Sequence, residues 1–196
     1  MQHPIFLFLY CIFYSVCTLS QTAQLDTVEA RKAFELINCF RDNPSLYGKK
    51  ININLKNVKK QKALYWNTTL SKAAEKKALD MANRNYFSHT TPEGKGINIL
   101  IHEAGYSLPK EYIKKKNANY FESIVAGAKN GEDAVCILIT DENTPGLGHR
   151  KHLLGIDNGT PFNSKLTDIG IGYAICFNEK KCKYETYVSV IIAMKN

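Results

Sequence analysis

The sequence predicts an α+β domain in which helices pack on an antiparallel sheet. Two segments near the C-terminus, from Asp168 to Phe177 and from Glu185 to Met194, are rich in Ile, Val and Tyr and are the clearest strands. Several upstream segments instead repeat apolar residues at helical spacing. Because helices and strands do not alternate along the chain, the pattern favours a layered α+β domain over a βαβ fold.

The first helical pattern begins at Asp26 or Thr27, either of which can cap a helix that runs to about Asp42. The segment from Tyr47 to Gln61 is polar and rich in lysine, and we interpret it as a loop. The apolar positions of the helix are Ala30, Ala33, Phe34, Ile37 and Phe40.

A second helix is predicted from about Leu70 to Asn85, with Asn67 or Thr68 as its cap. Its inner face is mostly small, so we expect it to lie close against the sheet. A short helix fits Ile97 to Tyr106, and a third long helix is predicted to start near Gly131 and to end by Asn143.

The N-terminal segment from Ile5 to Leu19 is uncharged and apolar, and is shorter than the roughly 20 residues that span a bilayer. It predicts a secretory signal peptide over residues 1–20, a leader over 21–29 and one domain over 30–194, in a secreted, extracellular protein. Because residues 1–4 contain no Lys or Arg, an uncleaved signal anchor stays open as the alternative.

Removal of the signal would leave four cysteines, an even number that suggests disulfides in an exported chain. Cys176 and Cys182 flank an expected hairpin loop and are predicted to pair. Cys39 and Cys136 pair only by elimination, with buried free thiols as the alternative. Asn67 begins an Asn-Thr-Thr glycosylation sequon.

The formal net charge of +8 arises from 26 Lys and Arg against 18 Asp and Glu. This balance favours anionic lipid or other acidic cell-surface partners, although scattered lysines also keep an exported protein soluble. No aromatic stripe accompanies the lysines, so nucleic acid is not an expected partner. We expect a monomer.

Histidines in turns are the candidate functional residues. His149 follows a Gly-Leu-Gly turn that begins at Gly146, and His89 lies where the second helix ends. His102-Glu103 begins like the zinc-protease pattern H-E-x-x-H, but the fifth residue is Tyr106, so that motif is absent.

Five motifs in order carry a resemblance to a known family. They are Leu64-Tyr65-Trp66-Asn67, Phe87-Ser88-His89, Glu122-Ser123-Ile124, Gly148-His149-Arg150 and Asp168-Ile169-Gly170-Ile171-Gly172. The chain resembles the CAP superfamily of cysteine-rich secretory, antigen 5 and pathogenesis-related 1 proteins, and within it the compact bacterial-type SCP domains. The resemblance implies an α-β-α sandwich, with a central antiparallel sheet between helical layers, and a cleft with two histidines and two acidic residues.

Transferred to this sequence, the resemblance implies that His89 and His149 are the cleft histidines and that Glu122 is one acidic residue. Ser123 replaces the usual Asn after Glu122, and Leu138 replaces a tryptophan that would place Asp141 as the second acidic residue. The adjacent Glu142 could substitute for Asp141. Such a set suits a weakly bound, optional Zn²⁺ or another divalent cation. Alternatively, the carboxylates only hold the imidazoles by hydrogen bonds.

The function expected from this resemblance is a non-enzymatic binding or interaction module. Its partners would be a lipid or sterol, the cell envelope or a host surface. The alternative is a zinc-dependent secreted hydrolase that uses the same cleft, with Glu122 as the base.

Overall fold

The computed structural model describes residues 22–142, 144–178 and 180–195, and a five-stranded sheet forms its centre. β4 and β5 pair antiparallel along their length, and β3 pairs antiparallel with the other side of β5. β1 lies antiparallel and β2 parallel to β4. Among the described residues no strand pairs with the outer side of β3, which is therefore an edge strand. The strands are β1 (Ala23–Leu25), β2 (Tyr65–Trp66), β3 (Glu122–Ala126), β4 (Asp168–Cys176) and β5 (Thr186–Ala193).

Helices cover both faces of this sheet. They are α1 (Thr27–Asp42), α2 (Pro44–Lys50), α3 (Thr68–Asn83), α4 (Ile97–Glu103), α5 (Lys110–Ile113), α6 (Gly131–Thr140) and α7 (Gly148–Leu154). α3 packs on β4 and β5 from one side, while α1 packs on β4 and joins α6 and α7 in the other layer. The predicted α-β-α sandwich is therefore confirmed. Among the described residues, no helix is both long enough and apolar enough to cross a membrane.

Two glycines of β4 let α3 approach the sheet backbone to backbone. A Cβ atom at Gly170 would lie 2.2 Å from the carbonyl carbon of Leu70, and one at Gly172 would lie 2.3 Å from the carbonyl oxygen of Ala74. The facing positions of α3 are small and fully buried, as the sequence predicted; Ala74 and Ala78 are examples. A larger side chain at Gly170 or Gly172 would push the helix away from the sheet.

Most predicted elements are confirmed, and their ends follow from capping. Asp26 accepts hydrogen bonds from Val28 N and Glu29 N to start α1, and Asn67 caps α3 in the same way. The predicted loop from Tyr47 is wrong in its first part, because Asn43 caps a further helix, α2, with Pro44 in its first turn.

The N-terminal segments differ in what the structure describes. The predicted signal peptide and its alternative as an anchor lie outside the described residues. Residues 23–25 of the predicted leader form β1, which pairs with Ala174 to Cys176 of β4, and α1 begins at Thr27. The folded region therefore begins before Ala30.

Cysteine pairing follows the local prediction and departs from the one made by elimination. Cys176 and Cys182 form the predicted disulfide. Cys39 and Cys136 are free, so their predicted pairing is wrong. Both thiols line one cavity next to α1 and α6, and the nearby Cys39 raises the pKa of Tyr47. The pairing was predicted only because these two cysteines remained after Cys176 and Cys182 were paired. A disulfide also requires that the two Cβ atoms lie close together, and the number of cysteines does not predict that distance.

Replacement of Gly172 tests the contact between α3 and β4. We expect Gly172→Ala to lower the free energy of unfolding by about 3 kcal/mol, because the new methyl group would meet the rigid backbone of α3. Urea unfolding followed by the fluorescence of Trp66, the single tryptophan, measures this change.

The matched control is Gly148→Ala, where a Cβ atom would meet nothing within 4 Å. Its free energy of unfolding should stay within about 0.5 kcal/mol of the wild type. Equal unfolding midpoints for the two variants would contradict the proposed contact.

Candidate functional site

His89 and Glu122 form the first half of the site. His89 lies in the turn after α3, and its Nδ1 is 2.9 Å from Glu122 Oε2. Glu122 opens β3, and its side chain is 0% exposed. Its other oxygen, Oε1, accepts a hydrogen bond of 2.7 Å from Ser189 Oγ on β5. The strand pairing therefore places a fully engaged carboxylate under a partly exposed imidazole.

A buried lysine lies behind Glu122. Lys77, on α3, donates to the Tyr86 hydroxyl at 3.1 Å, and that hydroxyl donates to Asp80 Oδ2 at 2.6 Å. Burial lowers the pKa of Lys77, while the negative charges of Glu122 and Asp80 oppose this shift. The lysine compensates part of the charge that Glu122 brings into the interior.

His149 and Asp141 form the second half. His149 Nδ1 is 2.7 Å from Asp141 Oδ1, and Asp141 Oδ2 accepts from the main-chain nitrogens of His149 at 2.9 Å and Arg150 at 3.2 Å. Burial opposes ionisation of Asp141, but hydrogen bonds from His149 and Arg150 outweigh it and keep its pKa below the ordinary value. Asp141 therefore caps the free N–H groups at the start of α7.

Asp141 and Arg150 together fix the C-terminal end of α6. Asp141 ends α6 in the left-handed conformation, with φ of 49°, which Asp tolerates better than most residues. Arg150 donates back to the carbonyls of Ile139 at 2.6 Å and Thr140 at 2.7 Å. These bonds give the arginine of the Gly-His-Arg motif a definite role, since it closes the C-terminus of α6.

The two halves meet at the edge formed by β3. The ring centroids of His89 and His149 are 6.4 Å apart. Nδ1 of each ring is engaged with its carboxylate, which leaves Nε2 as the ring nitrogen that is available to a ligand. All four predicted residues are thus brought together, as two His–carboxylate pairs. Asp141 occupies the second acidic position, while Glu142 is exposed beside it.

This donor set limits how a metal could be held. Glu122 bonds to Nδ1 of His89, and Asp141 bonds to Nδ1 of His149. Within the described ranges, no group of three or more His, Cys, Asp or Glu is arranged to hold one ion. Two Nε2 atoms would be the donors. A tetrahedral zinc ion with Zn–N distances of about 2.1 Å would bring the ring centroids to about 5 Å, closer than the present 6.4 Å. The two rings are therefore farther apart in this structure than a shared zinc ion would require.

A groove of about 480 Å³ continues from His149 along β3. Ile124 and Ala126 of β3 form its floor, and Ile137 of α6 and Phe87 contribute apolar walls. Ile137 is 42% exposed and Phe87 is 43% exposed. The groove therefore combines an imidazole at one end with accessible apolar side chains.

Comparison with known proteins now decides the family. The sequence model described as the cysteine-rich secretory protein family, CAP, matches residues 34–192. This chain belongs to the CAP family. The resemblance predicted from the five motifs is confirmed.

Bacterial proteins are among the relatives of this CAP domain. It is similar to YkwD of Bacillus subtilis strain 168, which is described as uncharacterized, with 32% identity over 136 residues that span 66% of this chain and 43% of YkwD. Its fold is similar to the crystal structure of an extracellular SCP-domain protein from Bacillus anthracis strain Ames. That match has a TM-score of 0.53 at 20% identity and covers 86% of this chain and 41% of the other. The chain spans less than half the length of either protein.

This CAP domain also contains a buried Ser–His pair that the sequence analysis missed. Ser123 Oγ lies 2.8 Å from His152 Nδ1, and both residues are buried. Side chains alternate along a strand, so Ser123 points to the face opposite Glu122. This alternation could have predicted the pair from the sequence. It directs Ser123, which replaces the usual Asn, toward α7 and away from the cleft.

Asn67 serves the fold of this CAP domain through both ends of its amide. Its Oδ1 accepts from Thr69 N and Leu70 N, and its Nδ2 donates to Asp168 Oδ2 at 3.1 Å. A glycan on Nδ2 would compete with the bond to Asp168. Glycosylation at this sequon stays a prediction, and the geometry disfavours it.

His152 should make the stability of the CAP domain depend on pH. Burial lowers its pKa from 6.5 to about 4, assisted by the positive charge of Arg41 and opposed by the main chain of Ile192. As pH falls below 6.5, the unfolded chain binds a proton that the folded protein excludes, so stability falls until about pH 4. The expected loss is about 3 kcal/mol in the free energy of unfolding.

The control for this prediction is His152→Gln, which removes the titrating group and retains an amide that can bond to Ser123. Urea unfolding of both proteins at several pH values from 7 to 4 isolates the contribution of His152, since other groups cancel in the difference. Parallel stability profiles for the two proteins would show that this histidine is not the cause.

Proposed function

We propose that this protein is an exported, non-enzymatic binding module whose ligand lies in the cleft at the edge of β3. The ligand is a component of a cell envelope or host surface, and a divalent cation is a weak, optional second ligand. The cleft is defined by His89, His149, Glu122 and Asp141.

The observation that carries this proposal is the anchoring of both imidazoles through Nδ1. Each ring is held by a carboxylate that is almost fully buried, with 0% exposure for Glu122 and 1% for Asp141. The rings therefore keep a fixed orientation and present Nε2 as an available acceptor, which suits recognition of a donor or a cation.

The same geometry argues against the alternative of a zinc-dependent hydrolase. Glu122 would have to act as base, but both of its oxygens already accept hydrogen bonds and neither reaches the open cleft. Ser123 and His152 resemble a nucleophile and base, but both are buried and a substrate could not reach them. Binding is the activity that needs no rearrangement of these groups.

The cation would be held by His89 and His149 through Nε2. When bound there, it would supply a Lewis-acidic contact for an oxygen of the ligand. Glu122 and Asp141 would orient the rings from behind, as carboxylates do in many histidine metal sites.

A zinc titration tests the cleft. We expect wild-type protein to bind zinc weakly in calorimetry, and His89→Ala combined with His149→Ala to lower the affinity by at least about tenfold. His102→Ala is the matched control because His102 is an exposed histidine on α4 and should leave zinc binding unchanged.

Equal zinc affinity for the double variant and the wild type would remove the cation from the proposal. The same samples, incubated with a diverse peptide library and zinc, also test the absence of catalysis. Cleavage by the wild type that Glu122→Gln abolishes would overturn the non-enzymatic part.

The net charge of +8 supports docking on an anionic surface, with lipid as one such partner. We expect the protein to bind vesicles that contain phosphatidylserine and to be released as the salt concentration rises. Neutral phosphatidylcholine vesicles, with and without a sterol, are the control. Binding that is equal for phosphatidylserine and phosphatidylcholine vesicles and insensitive to salt would exclude electrostatic docking. It would point to the lipid core or the sterol instead.

A further inference from the structure

The free edge of β3 offers main-chain groups that the sheet does not use. Ile192 N donates to Phe121 O, and Gly127 N donates to Thr186 O, so these two positions are hydrogen-bonded pairs of the antiparallel register. Such pairs alternate with positions that point their N–H and C=O groups away. Glu122, Ile124 and Ala126 therefore direct these groups outward.

At one of the three outward positions, Glu122, both main-chain groups are already hydrogen-bonded. Asn119 Nδ2 donates to Glu122 O at 3.0 Å, and Glu122 N donates to Asn119 Oδ1 at 2.9 Å. This side-chain amide bonds to Glu122 as the backbone of a neighbouring strand would. The outward N–H and C=O groups of Ile124 and Ala126 have no such partner among the described residues.

The open positions are not protected in the ways usual for edge strands. Proteins commonly guard an edge with Lys, Pro or a bulge. The stretch from Ile124 to Ala128 reads Ile-Val-Ala-Gly-Ala and contains no charge and no proline. The groove next to these residues leaves room for another chain.

The walls of the groove suit the alternating side chains of a strand. Phe87 and Tyr184 pack edge to face on one side, with ring centroids 5.9 Å apart, and Ile137 of α6 lines the other. A strand added to β3 would place successive side chains on opposite sides, against these two walls in turn.

The charge of the groove selects the kind of ligand. Its lining includes Asp133, Asp141 and Glu142 but no Lys or Arg, although the whole chain has an excess of basic residues. This lining disfavours an anionic lipid headgroup and favours a cationic segment. An acyl chain, in addition, could not bond to the main chain of Ile124 and Ala126.

We propose that the edge of β3 binds an extended polypeptide by strand addition, and that this peptide carries alternating apolar side chains and at least one Lys or Arg. The peptide pairs with the main chain of Ile124 and Ala126, and its basic residue lies near Glu142. This inference rests on the proposed binding function of the cleft, and it names the class of ligand.

The experiment uses an array of N-acetylated heptapeptides with valine at every second position. The positions between the valines hold lysine in some peptides and other residues in the rest. Lysine-containing members should bind, with at least about tenfold weaker binding when alternate peptide nitrogens are methylated, because methylation removes strand hydrogen bonds and keeps the side chains. Hydrogen exchange at Ile124 and Ala126 N–H should slow on binding, whereas Ser123 and Val125, already paired with β5, should not change.

Two variants of the protein form a matched pair. Ala126→Pro removes an outward N–H that β5 does not use, so the fold should survive and peptide binding should be lost. Ala126→Val keeps the N–H and should retain binding. Circular dichroism confirms folding of both variants.

Failure of the array has a distinct meaning from failure of the cleft. Strand addition is wrong if no peptide binds the wild-type protein more tightly than it binds the Ala126→Pro variant. It is also wrong if methylated and unmethylated peptides bind the wild-type protein equally. Zinc binding at His89 and His149 would in that case still support the proposed function. Preferential binding of anionic vesicles in the groove, blocked by Ala126→Pro, would replace the peptide by a lipid and overturn the inference.

Discussion

The backbone contact between α3 and β4 is the constraint on which the rest of the structure depends. Gly170 and Gly172 leave no side chain between α3 and β4, so the backbones of the helix and the strand are in contact. This contact sets the distance of α3 from the sheet. The turn that follows α3 then delivers Phe87 and His89 to the edge strand. A shift of this helix would move the imidazole away from Glu122, which the sheet holds independently.

The site lies at an edge because only there can the two helical layers meet. A sheet separates the groups on its two faces, and β3 is the last strand on that side. His89 arrives from the α3 layer, and His149 arrives from the layer that contains α6 and α7. Each ring bonds to a different carboxylate, His89 to Glu122 and His149 to Asp141.

Both carboxylates of the cleft serve as anchors for its imidazoles, and the proposal of a non-enzymatic module rests on this use. A general base needs a free lone pair directed at the substrate, whereas Glu122 and Asp141 spend theirs on ring nitrogens, a serine and main-chain N–H groups. The accessible chemistry is then two imidazole acceptors, apolar walls and the unpaired main chain of β3. These are the groups on which the proposed binding function relies.

What the sequence determined by itself was local: the start of α1 at Asp26 or Thr27, the small face of α3, the strands β4 and β5, and the Cys176–Cys182 disulfide. The cleft residues were identified through family motifs. Only the tertiary structure decided that β3 is an edge strand, that each histidine has its own carboxylate, that Cys39 and Cys136 stay apart, and that Ser123 bonds to His152. Periodicity and capping depend on neighbours within a few residues, but these pairings depend on strand register and on how helices pack.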